Sequence, residues 1–147
     1  MTTHTPTRPP TVAPMAFAIG GAAASLALTA YGAFKDDNQA GDVPGYVFID
    51  GPIILITTAI VFGLVVPRVL RSTDPETPAR AALVLALVGL ATNVVFYLGL
   101  TAVLTAAALC TALASRQRAG RWTGVAGVAV ALSVVTLIAA LVLSILG

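Results

Sequence analysis

Charge is what this chain has least of. Asp, Glu, Lys and Arg together make up 10% of its 147 residues, where a soluble globular domain carries about 25%. That excludes a water-soluble fold, because there is too little polar surface to cover one. Histidine and cysteine occur once each. His4 sits in a Thr/Pro-rich stretch, and no His, Cys, Asp and Glu grouping has the spacing of a metal site. The lone Cys110 excludes an internal disulfide. No G-x-S-x-G elbow occurs, nothing places a base beside Ser25, Ser133 or Ser144, and the Gly20-Gly21 pair lies inside an apolar run rather than in a phosphate-binding loop. Seven Arg and one Lys against six carboxylates leave a net charge of +2, too small and too scattered for a nucleic-acid surface. The expectation is a non-enzymatic protein with no cofactor, no metal and no nucleic-acid partner.

Apolar residues fill the space that charge leaves. They make up 58% of the chain, and the mean hydropathy is +0.96. Residues 1–14 carry four prolines and five threonines with no apolar period, so they read as a disordered tail. Residues 15–147 read as one transmembrane domain. Its first apolar segment, 15–34, is about one bilayer long. It is read as a retained helix rather than a signal peptide, because its basic leader is thin and its apolar stretch long. A polar loop follows at 35–45, then a second segment at 46–66. Pro67 opens the link PRVLRSTDPETPAR, in which Thr77 and Pro78 read as a helix N-cap and first-turn proline. Residues 115–122 form a second basic link, and 123–146 the last segment.

Between the two links lie 34 residues, 81–114, without one charged side chain or histidine. As a single helix they would reach about 51 Å, against a hydrocarbon core of roughly 30 Å. The positive-inside rule decides how they divide. One crossing would put the two links, each with three arginines, on opposite sides of the membrane. A hairpin puts both links and Arg8 on one side, and leaves Lys35, Asp36, Asp37 and Asp42 on the other. Phe96 and Tyr97 then sit at the fold-back, at headgroup level, with Gly99 to permit the reversal. The sequence therefore predicts an all-α integral membrane helical bundle with five transmembrane segments, about 15–34, 46–66, 79–97, 99–115 and 123–146. Four segments are the alternative. The N-terminus is expected in the cytoplasm and the C-terminus outside, in a multi-pass protein of the cytoplasmic membrane.

The run 81–114, then Arg116, Arg118, Gly120 and Arg121, then Gly124, Ala126 and Gly127, resemble a widespread bacterial membrane domain of unknown function. That domain is a hydrophobic hairpin, an Arg-rich Gly-Arg link and a Gly-rich last helix. The whole chain is similar to uncharacterised small membrane proteins of high-GC Gram-positive bacteria, in which a Val-Val-Pro-Arg stretch (Val65, Val66, Pro67, Arg68) closes the second helix. The resemblance implies a membrane fold and no particular activity. Leu98-Gly99-Leu100-Thr101 stands here where a proline would be expected in the family.

Two kinds of residue remain as site candidates. Polar groups at membrane depth are costly and suggest function. Tyr31, Lys35, Asp50, Asn93 and Tyr97 fall at one level near the outer face in the five-segment arrangement, and form a candidate polar cluster. Small residues at four-residue spacing let helices approach closely in lipid. Gly21 and Ser25 in the first segment, Gly120 in the basic link, and Gly124, Gly127 and Ala131 in the last segment are candidate packing positions. The composite expectation is an accessory or assembly protein acting through helix packing, with the bilayer and a membrane-protein partner or a second copy as its contacts. The alternative is an oligomeric small channel or transporter built on Asp50 and Asn93.

Overall fold

The structure is a computed structural model, and it describes residues 12–35, 45–74, 76–95 and 100–146. The expected tail, the loop that follows the first helix and the fold-back at 96–99 lie outside the described residues. Among those described there is no strand, and the secondary structure is helical throughout. Helix α1 is Pro14–Lys35, α3 is Thr77–Val95, α4 is Leu100–Ala119 and α5 is Gly124–Leu146. Helix α2 covers 46–71 without a break, in four pieces: Tyr46–Asp50, Gly51–Ile60, Val61–Val65 and Val66–Arg71. Four helices, namely α1, α2, α4 and α5, are long and apolar enough to cross a membrane, while α3 is a shorter apolar helix.

The long neutral run is thus two helices, not one. They make the most extensive contact between any pair in the molecule. The two run antiparallel: Gly89 faces Leu104 and Thr105, Leu85 and Ala86 share a core cluster with Ala107 and Ala108, and Ala79 and Ala82 share one with Ala112 further along.

Helix α2 runs past the expected stop at Val66 to Arg71, so Pro67 does not end it. Proline lacks the N–H that an α-helix needs four residues back. Here a wide π turn ends two residues before each proline of the helix: Tyr46–Asp50 before Pro52 and Val61–Val65 before Pro67. The Val66 N–H donates to the Val61 carbonyl five residues back, which takes up the irregularity that Pro67 introduces. The insertion also shifts the buried face. Ile54 and Val61 lie seven residues apart, and the extra residue brings Val66 rather than Val65 inward. Serine ends the helix: Ser72 turns to φ −60°, ψ 138°.

Helix α4 is the axis of the bundle. Two thirds of it is buried, against 17% of α1, 17% of α2 and 28% of α5. Apart from Val103 and Leu104, its inward residues are Ala, Thr, Cys and Ser on nearly every face, small enough for neighbours to approach closely. The neighbours answer with small residues of their own. On α5 the buried stripe is Ala126, Ala129, Ser133, Thr136 and Ala140; on α3 it is Ala79, Ala82, Ala86 and Gly89. Both advance by alternate threes and fours, the 3.5-residue period of left-handed helix packing. The large aliphatic chains, such as Ile49, Leu55, Leu64, Val128 and Leu143, point outward instead. An apolar exterior around a small, hydroxyl-bearing interior suits a lipid solvent, which provides no hydrophobic drive to bury them.

Three of the seven buried hydroxyls among the described residues are satisfied within their own helices. Thr105 donates to the Thr101 carbonyl at 2.8 Å, Thr111 to Ala107 at 2.9 Å and Thr136 to Leu132 at 2.7 Å. Ser25, Thr101, Ser115 and Ser133 have buried oxygens with no partner among the described residues.

Candidate functional site

The arginine-bearing end of the bundle is the best-defined polar region. Arg118, in the last turn of α4, donates through Nη1 to the Ser72 carbonyl at 2.9 Å and through Nη2 to the Leu70 carbonyl. Both acceptors are at the C-terminus of α2, where carbonyls lack helical partners and carry the negative end of the helix dipole. A delocalised, always charged guanidinium suits that place. This clasp joins the two basic links at one end of the molecule. Gly120 then takes φ +66°, the left-handed turn that stops α4 and that a side chain would strain. Arg116 lies over the Trp122 ring at 4.8 Å from its centroid, within cation–π range.

On the other link, α3 begins one residue earlier than the Thr77–Pro78 pair suggests. The Arg80 N–H bonds the Glu76 carbonyl at 3.0 Å, so Thr77 is already inside the first turn. Asp74 braces the turn that leads into the helix. It accepts from the Glu76 N–H at 3.0 Å and from the Thr77 hydroxyl at 2.9 Å. These two donors, with Arg80 nearby, hold its carboxyl below the ordinary 3.8 despite a small opposing desolvation. The Glu76–Arg80 pair is largely exposed on both sides and contributes little.

Of the candidate polar level at the opposite end, Tyr31, Asp50 and Asn93 fall within the described residues. Tyr31 is half-exposed on α1. Asp50 is half-buried where the first wide turn of α2 meets its α-helical part, and Asn93 is half-buried near the end of α3. Helix α1 touches the start of α2, whereas α3 packs on α4 and α5. No hydrogen bond or ion pair joins Tyr31, Asp50 and Asn93 among the described residues. Tyr97 and the Lys35 side chain lie outside them. Asn93 does continue the packing stripe of α3, four residues after Gly89.

The packing candidates divide. Gly21 is buried, and a Cβ there would lie 2.8 Å from the Ala106 Cβ and 3.3 Å from α4 backbone. That is a helix crossing only glycine permits. Ser25, one turn on, is fully buried on the same face. Gly120 is a helix stop rather than a packing residue. Gly124 and Ala131 are exposed and Gly127 is half-buried, and a Cβ on either glycine would meet nothing within 4 Å. The stripe that does pack on α5 went unread because glycine draws attention that alanine, serine and threonine do not. The heptad spacing of Ala126, Ala129, Ser133, Thr136 and Ala140 was the signal for it.

Cys110 is fully buried in the cluster that Val61, Val66, Leu85 and Leu104 form, which places the thiol out of reach of a modifying enzyme. No group of three or more metal-binding side chains occurs among the described residues. No protein-family model, curated protein or solved structure matches the chain. The resemblance carried by residues 81–127 therefore enters the argument no further.

Proposed function

We propose that the chain is a five-span protein of the cytoplasmic membrane, N-terminus inside and C-terminus outside, that serves as a non-enzymatic accessory or assembly factor. The observation that carries this reading is the Arg118 clasp. It gathers the links bearing Arg68, Arg71, Arg80, Arg116, Arg118 and Arg121 at one end, which is the pattern the positive-inside rule asks of five crossings. Helix α3 is short for a span, but its hairpin partner α4 shields it, and terminal arginines can snorkel to the interface. The accessory role follows from what the interior offers. Its core carries no charged side chain among the described residues, and Thr105, Thr111 and Thr136 are bonded to their own helices, which leaves only isolated hydroxyls to line a polar path. Gly124, Gly127 and Ala131, with nothing packed closely on them, supply an outward face for a partner helix.

The test is purification of the tagged chain from its own membrane in mild detergent, followed by mass spectrometry and native mass. A reproducible stoichiometric partner supports the accessory role; a homo-oligomer with no partner counts against it. A C-terminal fluorescent-protein fusion that is bright only when exported correctly reads the topology separately. The channel reading keeps one argument, the wide turn at Asp50, since such turns recur at functional sites. Asp50→Asn separates the two: an accessory protein tolerates it, while a cation pathway loses flux.

A further inference from the structure

Between α1, α4 and α5 runs an open apolar groove of about 290 Å³. Ala16, Gly20 and Ala24 line it from α1, Ala106 and Leu109 from α4, and Leu137 from α5. Its one lining hydroxyl, Thr105, already donates to carbonyls of its own helix, so the groove offers a ligand no free polar group. Nine residues of α1, Ala16 to Ala24, give it a length of about 12 Å. It is an open furrow rather than an enclosed cavity, and its apolar lining suits a hydrocarbon chain.

The position along the bundle agrees. The groove uses the middle of α4, and Arg116 lies seven residues past Leu109, two turns along the same face and about 10 Å nearer the arginine end. Its guanidinium rests on Trp122, which is 43% exposed. A cation and an aromatic ring at that level are suited to a lipid headgroup. Half of a hydrocarbon core is about 15 Å, so a lipid whose phosphate meets Arg116 would lay the far part of one tail in the groove. The absence of any close neighbour at Gly20 is then accounted for: a larger side chain there would occupy the tail's place.

We infer that this groove binds one acyl chain of an anionic glycerophospholipid from the arginine-side leaflet, with Arg116 taking its phosphate. The inference rests on the membrane reading above. The test is native mass spectrometry of the full chain, delipidated in mild detergent and offered equal phosphatidylglycerol and phosphatidylcholine with the same tails. One phosphatidylglycerol per chain is expected to survive activation. Gly20→Leu and Ala24→Leu, both placing bulk into open space, should each lower retention of either lipid by about tenfold, the scale on which overpacking a filled site acts. Arg116→Gln should leave the tail contact but lower the preference for phosphatidylglycerol by about fivefold. Arg68→Gln, an equal charge change on a helix that does not line the groove, should leave the preference intact.

Undiminished retention in both leucine variants, at wild-type helicity, overturns the inference. So does an equal loss of preference in Arg68→Gln and Arg116→Gln, which would mark a general charge effect. A dimer that Gly20→Leu dissociates also overturns it, by making a second copy the occupant. Flotation with vesicles keeps the two readings apart. A chain that does not float fails as a membrane protein, whereas one that floats but ignores groove filling fails only here.

Discussion

Helices α2 and α4 make the same fold by opposite means. Helix α2 is rich in Ile, Leu and Val and exposes most of them: Val47, Ile49, Leu55, Ile56 and Leu64 all face outward. Helix α4 is built of alanine and threonine, and two thirds of it is enclosed. In water the assignments would be reversed, because burial follows hydrophobicity when the outside is polar. In lipid the outside is as apolar as leucine, and close backbone approach decides what is buried. Size, more than hydropathy, separates inside from outside in this protein.

That contrast can be broken most sharply at Gly21. Gly21→Leu must force α1 away from α4 at the Ala106 contact, and should cost about 3 kcal/mol or more, the upper range of overpacking. A thermal melt in one detergent would register it as a large drop in midpoint. Gly20→Leu next door should melt as wild type, since nothing crowds it; equal losses at both positions would undo the close-crossing argument. Ala112→Leu follows, in a fully buried site between α3 and α5, at about 1–3 kcal/mol. Its counterpart on α2, Leu55→Ala, should change the same melt by under about 0.5 kcal/mol, as surface substitutions do. Should Leu55→Ala cost more than Ala112→Leu, the inside-outside assignment itself is wrong.

Smaller effects sharpen the arginine end. Arg118→Gln removes the clasp on Leu70 and Ser72 and should cost about 1 kcal/mol, a charged hydrogen bond discounted for its partly exposed setting. Disulfide cross-linking between cysteines placed in the two links should slow accordingly, with Arg118→Lys restoring part of the rate. Last comes Asp74. Its carboxyl titrates below the usual 3.8 in the folded protein, so its stabilising contribution is complete above that value and is lost as pH falls through the depressed one. Asp74→Asn should therefore narrow the gap between melts at neutral pH and at about pH 3, by a small margin given full exposure.

Much of this was legible in the residues. The neutral run 81–114 was too long for one crossing, and arginine placement called for a hairpin; the structure folds it into α3 and α4 between Val95 and Leu100. Gly21 and Ser25 were read as packing residues and are buried at the α1–α4 crossing. Other features were out of reach. Pro67 is a plausible stop by any local rule, and only the wide turn before it, fitted against α4, lets α2 continue to Arg71. The link glycines looked like packing residues, but glycine fits a left-handed stop and an open surface equally well, and local composition does not distinguish them.

The sequence by itself determined that the chain is helical and apolar, and that its neutral run 81–114 is too long for a single crossing. Hydropathy, helix length and charge are local quantities and need no neighbours to be read. Only the tertiary structure decided which helix lies at the centre, that Arg118 closes the end of α2, and that a groove remains open beside Gly20. Each of these depends on how closely two backbones approach, and side-chain size sets that distance only once the partner is known.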